Sequence, residues 1–181
     1  MIELFLGGAR SGKSRIAETR ALHCSEQEHK QVIYVATAKS QDSEMQQRIK
    51  QHQNRRPEHW VTREEPIALA SLLAEHNDAH YLVMIDCLTL WLTNLLCHAD
   101  PDRYQQEKNA LLHQLAQHRS NVIIVSNETG LGIVPMGELT RRFVDESGWL
   151  HQEIAALADE VTLVIAGLTH SLKTTTQTKN S

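Results

Sequence analysis

The sequence predicts an α/β protein with a mainly parallel β-sheet flanked by helices. Short apolar runs rich in Val and Ile are typical of strands buried on both faces, and they occur at residues 2–6, 32–36, 81–85, 122–125 and 161–165. Segments with helical spacing alternate with them, at residues 13–23, 43–51, 66–75, 88–96, 103–118 and 138–158. This alternation favours parallel pairing, because two parallel strands need a long crossover connection.

Length and composition predict one domain over residues 1–170, followed by a flexible polar C-terminal tail at 171–181. Hydrophobic residues make up 41% of the 181-residue chain and charged residues 22%, as in ordinary globular proteins. The tail is rich in Thr, Lys and Gln and has no apolar residue after Leu172. The formal net charge of −4 gives no overall attraction to nucleic acid or anionic membrane. We therefore expect neither as a partner.

Targeting signals and cysteine usage both predict a cytoplasmic protein. No charged leader followed by an apolar segment is seen, and no apolar stretch reaches transmembrane length. Cys24, Cys87 and Cys97 are odd in number and widely spaced, which predicts reduced and mostly buried thiols. Several histidines lie among polar residues and are expected on the surface: His23, His29, His76, His80, His98, His113 and His118.

A complete phosphate-binding motif, G-x-x-x-x-G-K-[ST], stands between the first predicted strand and the first predicted helix. In such a loop, glycines let backbone amides turn towards the β-phosphate, Lys13 bridges the β- and γ-phosphates, and Ser14 ligates Mg²⁺. The predicted phosphate contacts are Gly7, Gly8, Ala9, Arg10, Ser11, Gly12, Lys13 and Ser14. Together with the strand pattern, the motif predicts a P-loop NTPase-type (RecA-like) fold that binds a nucleoside triphosphate.

Two further polar sites follow predicted strands. Asp86 closes the run Tyr81-Leu-Val-Met-Ile-Asp, where a carboxylate holds the metal in other P-loop proteins. Alternatively, or at the same time, Asp86 caps the helix that begins near Leu88. Asn127 and Glu128 open a glycine-rich loop after another strand. They are placed to meet substrate or metal, or belong to a plain connection with Glu128 in solvent.

The charged stretch 51–65 reads as a long polar insertion between two helices, which is often functional. Within it, Arg55 and Arg56 are planar cations suited to phosphate oxygens. Trp60 is the tryptophan best placed to contact nucleotide or a second subunit, whereas Trp91 lies in an apolar helix and is predicted to pack in the core. His52 follows Arg48 by one helical turn; from the residues alone, a solvated surface histidine is the simpler interpretation.

Several blocks of sequence together resemble the adenosylcobinamide kinase/adenosylcobinamide-phosphate guanylyltransferase family of cobalamin biosynthesis. The blocks are Gly7-Gly-Ala-Arg-Ser-Gly-Lys-Ser-Arg15, Tyr34-Val-Ala-Thr37, Arg48-Ile with His52 and Arg56-Pro57, Asp86-Cys-Leu-Thr-Leu-Trp-Leu-Thr-Asn-Leu-Leu96, and Ser126-Asn-Glu-Thr-Gly-Leu-Gly-Ile-Val-Pro135. The resemblance runs from residue 1 to about residue 168. Because the blocks agree in order and spacing, it is more specific than a P-loop alone.

The resemblance implies two reactions on one chain. The enzyme would phosphorylate the aminopropanol hydroxyl of adenosylcobinamide with ATP or GTP, and then transfer GMP from GTP to adenosylcobinamide phosphate, releasing pyrophosphate. GMP would pass through a histidine, which matches His52 here, and Lys13 would serve catalysis. The cofactor would be Mg²⁺, held at Ser14 and Asp86, and the assembly would be a homo-oligomer, specifically a trimer.

The resemblance also implies a set of nucleotide contacts beyond the phosphate loop. They fall on Val35, Ala36, Thr37, Gln53, Asn54, Arg55, Arg56, Glu64 and Asp86. This chain departs from some relatives in two places, with Gln51 before the single His52 and Asp86 where others carry Glu.

Overall fold

The computed structural model describes residues 1–38 and 57–174. Its strands form one seven-stranded sheet in the order β3-β2-β4-β5-β1-β6-β7. The strands are β1 (Ile2–Gly7), β2 (Gln31–Ala36), β3 (Val61–Glu64), β4 (Tyr81–Asp86), β5 (Asn121–Asn127), β6 (Glu160–Ile165) and β7 (Leu168–Lys173). All neighbours pair in parallel except β6 and β7, which are antiparallel. The predicted α/β class with a mainly parallel sheet is confirmed.

Helices cover both faces of this sheet. In the described residues they are α1 (Lys13–Glu28), α2 (Leu69–Glu75), α3 (Leu88–Leu96), α4 (Arg103–Ala116) and α5 (Glu138–Leu157). Alternate strand residues face opposite ways, so β4 gives Val83 and Ile85 to one core and Leu82 and Met84 to the other. Helices α2 to α5 cover the first core, and α1 covers the second.

Helix α1 is joined to the first strand by an ion pair as well as by packing. Arg20 Nε donates to both carboxylate oxygens of Glu3, at 3.0 and 2.8 Å. Burial raises the pKa of Glu3, and the neighbouring Arg20 opposes that rise. The pair therefore supplies the compensation that a buried carboxylate requires.

The structure adds two strands that the sequence did not predict. The end of the supposed polar insertion forms β3, with all four residues exposed. Strand β7 takes in residues 171–173, so the polar tail predicted from residue 171 begins inside a strand; residues 175–181 lie outside the described part. Both are edge strands and lack the apolar run that marks a strand buried on both faces.

Buried aromatic and histidine side chains bring further differences. Trp91 is fully buried and donates to the Ile67 carbonyl at 2.7 Å, as its predicted core position requires. The prediction for Trp60 was wrong, because its side chain is 7% exposed and packs in the core beneath α1. His76, expected on the surface, is buried and its Nδ1 contacts the Leu72 carbonyl at 2.9 Å.

Candidate active site

The phosphate-binding loop lies at the carboxyl edge of the sheet, between β1 and α1. Gly12 precedes the helix with φ of 97°, a left-handed conformation that glycine adopts without strain. The Gly167 amide donates to the Ser11 carbonyl at 2.8 Å, and the Glu128 amide donates to the Gly7 carbonyl at 3.0 Å. The connections after β5 and β6 thus hold the loop from both sides.

Gly7 is required by close packing at the end of β1. A Cβ atom there would come within 2.4 Å of the Val164 carbonyl oxygen, which belongs to β6, and within 2.6 Å of Ser11 Oγ. Any larger residue would force the strand or the loop to shift.

Lys13 points back into the loop from the first turn of α1. Its ammonium donates to the Gly8 carbonyl at 3.1 Å, and the side chain is almost wholly buried. Burial lowers the pKa of Lys13, while the nearby Cys87 and Asp86 oppose that change. Within the described residues, the buried hydroxyl of Ser11 has no hydrogen-bond partner. A cation and an unpaired donor inside one loop suit a phosphate group.

Asp86 ends β4, two strands away from β1, and its carboxylate is oriented by a neighbouring strand. Tyr34 of β2 donates its hydroxyl proton to Asp86 Oδ2 at 2.8 Å. The alternative role as a helix cap is not observed: α3 begins after Cys87, and no side chain caps it. The peptide bond between Asp86 and Cys87 is cis.

These donors fit a magnesium site of the kind that shares its ligands with phosphate. Ser14 supplies a hydroxyl at the second position of α1, and Asp86 supplies a carboxylate. Among residues 1–38 and 57–174, no cluster of three or more His, Cys, Asp or Glu side chains could hold a metal by itself. Mg²⁺ is usually bound by one or two protein oxygens, with phosphates and water completing its shell.

The residues predicted to contact nucleotide after β2 are mostly committed to the protein itself. Val35 is fully buried in the core, and the Ala36 carbonyl accepts from the Glu65 amide. Thr37 is also fully buried; its hydroxyl donates to the Cys87 carbonyl at 2.7 Å and accepts from the Cys87 amide at 2.9 Å. Thr37 therefore fastens the end of β2 to the residue that follows Asp86.

Other predicted contacts are either at the sheet edge or outside the described residues. Glu64 ends β3 with an exposed side chain, next to Ala36 in the sheet. Arg10 is exposed in the loop at φ of 58°. His52, Gln53, Asn54, Arg55 and Arg56, with the helix predicted at 43–51, lie outside the described residues.

The loop after β5 brings in a histidine that the sequence analysis missed. Glu128 Oε1 accepts from the Gly130 amide at 2.6 Å, and Glu128 Oε2 lies 3.9 Å from His151 Nδ1. His151 Nε2 in turn lies 2.7 Å from Ser126 Oγ. His151 shares the buried face of α5 with Ser147, Leu150 and Ile154, and this helical spacing was the available signal.

Asn127 faces the other way, into the contact between β5 and α3. Its amide donates to Thr89 Oγ1 at 2.9 Å, and Thr89 Oγ1 lies 2.9 Å from Cys87 Sγ. Of the two residues predicted to meet substrate or metal here, only Glu128 keeps a carboxylate beside the phosphate loop.

A phosphate loop on β1, a lysine within it and a carboxylate on β4 define a P-loop nucleotide-binding enzyme. A solved structure described as an ATPase domain supports this class: its likeness has a TM-score of 0.54 and covers 90% of this chain and 68% of that chain. At 16% identity the likeness concerns the fold alone.

The particular family follows from comparison of sequences. Residues 3–172 match the family described as cobinamide kinase / cobinamide phosphate guanyltransferase, and the chain belongs to that family. The chain is 53% identical to the "Bifunctional adenosylcobalamin biosynthesis protein CobP" of Pseudomonas aeruginosa, over 96% of this chain and 98% of that protein. It is 40% identical to the "Bifunctional adenosylcobalamin biosynthesis protein CobU" of Escherichia coli, over 96% of this chain and all of that protein. The family predicted from the sequence blocks is confirmed.

No helix in the described part of the chain combines the length and the apolar character needed to cross a bilayer.

Proposed function

We propose that this chain catalyses both reactions of its family: phosphorylation of the aminopropanol hydroxyl of adenosylcobinamide, and transfer of GMP from GTP to the resulting phosphate. The phosphate loop with Lys13 buried inside it is the observation that carries the proposal, because both reactions begin with a bound nucleoside triphosphate. Family membership supplies the acceptor.

In the kinase step, the substrate hydroxyl attacks the γ-phosphorus of ATP or GTP, and the bond to the β-phosphate oxygen breaks. Lys13 and the amides of the loop stabilise the negative charge on the phosphates. Ser14 and Asp86 would hold Mg²⁺, which neutralises part of that charge when it is bound.

In the guanylyltransferase step, we propose that His52 attacks the α-phosphorus of GTP, so that pyrophosphate leaves and GMP is carried on the imidazole. The phosphate of the acceptor then attacks the same phosphorus and frees the histidine. An imidazole is a competent nucleophile near neutral pH. The match of His52 to the family's histidine supports this role, and Gln53, Asn54, Arg55 and Arg56 are proposed to contact the same nucleotide.

The first test is the intact mass of the protein after incubation with GTP and Mg²⁺, beside a His52→Ala variant. We expect a gain of one GMP in the parent and none in the variant. A parent that binds GTP but forms no adduct would contradict the covalent step. It would leave a kinase without transferase activity, or a nucleotide-gated switch if adenosylcobinamide is not phosphorylated either.

We also propose that the chain acts as a homo-oligomer, a trimer by resemblance, in the cytoplasm, where its nucleotide substrates are found. Four apolar side chains on the loop after β5 are 71–96% exposed: Leu131, Ile133, Val134 and Met136. A surface of this kind is typical of subunit contacts. Light scattering of the purified protein should give three times the chain mass, and a monomer would contradict the proposal.

A further inference from the structure

The strongest unassigned feature is the chain of contacts from Ser126 through His151 to Glu128. Ser126 is fully buried in β5, and His151 is nearly so in α5, yet the Glu128 side chain at the end of the chain of contacts is 22% exposed. Two groups, the Gly130 amide and the His151 ring, therefore orient a carboxylate that still reaches solvent. The family's reactions as described above leave this carboxylate without a role.

The charge state of the network follows from burial. Burial lowers the pKa of His151, and the adjacent Glu128 carboxylate only partly opposes this, so the ring is neutral near pH 7. A neutral imidazole has one N–H group. With the proton on Nδ1, the ring faces the negative carboxylate with a donor and accepts from the Ser126 hydroxyl through Nε2. The other tautomer would present a lone pair to the carboxylate, which is repulsive.

The position of Glu128 relative to the phosphate loop is set by the sheet. Asn127 pairs with Gly7 in the parallel register of β5 and β1, and the next residue, Glu128, donates its amide to the Gly7 carbonyl at 3.0 Å. The carboxylate therefore begins beside the first residues of the loop that is proposed to bind the triphosphate.

The two reactions of this enzyme differ in what they need from such a carboxylate. The acceptor of the kinase step is a hydroxyl, which must lose its proton as the new P–O bond forms. The acceptor of the guanylyl transfer is a phosphate that is already anionic and has no proton to lose. A general base is therefore useful in the first step alone.

We propose that Glu128 is the general base of the kinase step and that His151 is its positioning residue. The substrate oxygen forms its bond to the γ-phosphorus, the bond to the nucleoside diphosphate breaks, and the hydroxyl proton passes to the Glu128 carboxylate and then to water. This inference rests on the proposed pair of reactions.

The test measures the two reactions separately in Glu128→Gln. We expect kcat for phosphorylation of adenosylcobinamide to fall about 100-fold or more, with KM changed by less than about 3-fold. GMP transfer to supplied adenosylcobinamide phosphate, and the GMP adduct seen by intact mass, should stay within about 3-fold of the parent, since neither needs this base. Glu26→Gln, an exposed change near the far end of α1, is the matched control and should affect neither reaction.

Variants of the neighbouring residues separate positioning from folding. Glu128→Asp keeps the carboxylate but withdraws it, and should lower only the kinase rate. His151→Leu removes the N–H group and should lower kinase kcat about 10-fold, whereas His151→Asn, which can offer an amide N–H at the Nδ1 position, should recover most of it. A purely structural role for His151 would lower both reactions together and would not distinguish Asn from Leu.

Two results would overturn the proposal. An unchanged kinase rate in Glu128→Gln would exclude Glu128 as the base. An equal loss of both reactions would assign Glu128 to the nucleotide or to Mg²⁺ instead. Failure of the proposed function looks different, because the unaltered protein would then lack one of the two activities.

Discussion

Lys13 is the residue whose surroundings most directly link this structure to phosphate chemistry. Its buried ammonium sits within the phosphate loop and donates to the Gly8 carbonyl. Burial disfavours the charge, so a nearby triphosphate, which brings several negative oxygens, would be bound in part by relieving that cost. The same loop is expected to serve both reactions.

Lys13→Met keeps most of the side-chain volume and removes the charge. We expect kcat/KM of both reactions to fall by about 10²–10³, the usual effect of losing one donor to a charged transition state. Steady-state assays of phosphorylation and GMP transfer check this. A loss in one reaction only would show that the two do not share the loop.

His118 should make the stability of the fold depend on pH. Burial lowers the pKa of His118 from 6.5 to about 4, and its Nε2 contacts Ser120 Oγ. Between these two pH values the unfolded chain binds a proton that the folded chain does not. The free energy of unfolding should therefore decrease as pH falls from about 6.5 towards 4.

His118→Gln removes this titration, so its stability should fall less steeply over the same pH range. Urea denaturation at several pH values measures the slope. His59→Gln, at an exposed position, is the control and should keep the parent's slope. Equal slopes for the parent and His118→Gln would contradict the interpretation.

At the scale of elements, the ion pair of Glu3 and Arg20 determines how firmly α1 is attached to β1, and so how firmly the loop between them is held. Glu3 is 3% exposed, whereas the Arg20 side chain is 32% exposed. Such a pair adds little if both partners are replaced together, but breaking it leaves a charge in the core.

Arg20→Met should lower the free energy of unfolding by about 3 kcal/mol, because Glu3 is left buried without its cation. Urea denaturation measures the loss. Arg119→Met, an exposed position, should change stability by less than about 0.5 kcal/mol. A small loss in Arg20→Met, recovered by no further change at Glu3, would mean that water reaches the carboxylate.

Elements with strong apolar periodicity were predictable, and elements at the sheet edges were not. The central strands β1, β2, β4 and β5 each contain a continuous apolar run, since helices cover both of their faces. Strand β3 consists of exposed Val61-Thr-Arg-Glu64, and β7 is largely exposed as well. Backbone hydrogen bonds to β2 and β6 hold these edges, and such bonds leave no pattern in side-chain type.

At the scale of the whole molecule, the strand order separates the two ends of the site. Strand β5 lies between β1, which carries the phosphate loop, and β4, which carries Asp86. The loop after β5 can therefore supply Glu128 between them. Ligand binding at this edge should engage β1, β4 and α1 together.

Binding of GTP with Mg²⁺ should consequently stabilise the entire fold. At a concentration 100 times Kd, the free energy of unfolding should rise by about 2.7 kcal/mol, provided that the unfolded chain does not bind. For a domain of this size, that corresponds to an increase in Tm of roughly 5–10 °C. Thermal unfolding over a range of GTP concentrations measures it.

Lys13→Met is the matched control for that experiment, and its Tm should respond much less to GTP. A Tm of the parent that does not depend on GTP concentration would contradict binding at the phosphate loop.

The sequence by itself determined the α/β class, the phosphate loop from Gly7 to Ser14, Asp86 at a strand end and the family. These features depend on local pattern: apolar runs reflect burial on both faces, and the loop motif reflects the shape of phosphate. Only the tertiary structure decided that Trp60 is buried, that Thr37 binds Cys87, and that Ser126, His151 and Glu128 meet. His151 follows Glu128 by more than twenty residues, and it reaches Glu128 because α5 packs on the same face of the sheet where β5 ends. Contacts of this kind arise from the packing of elements, which no local pattern of residues encodes.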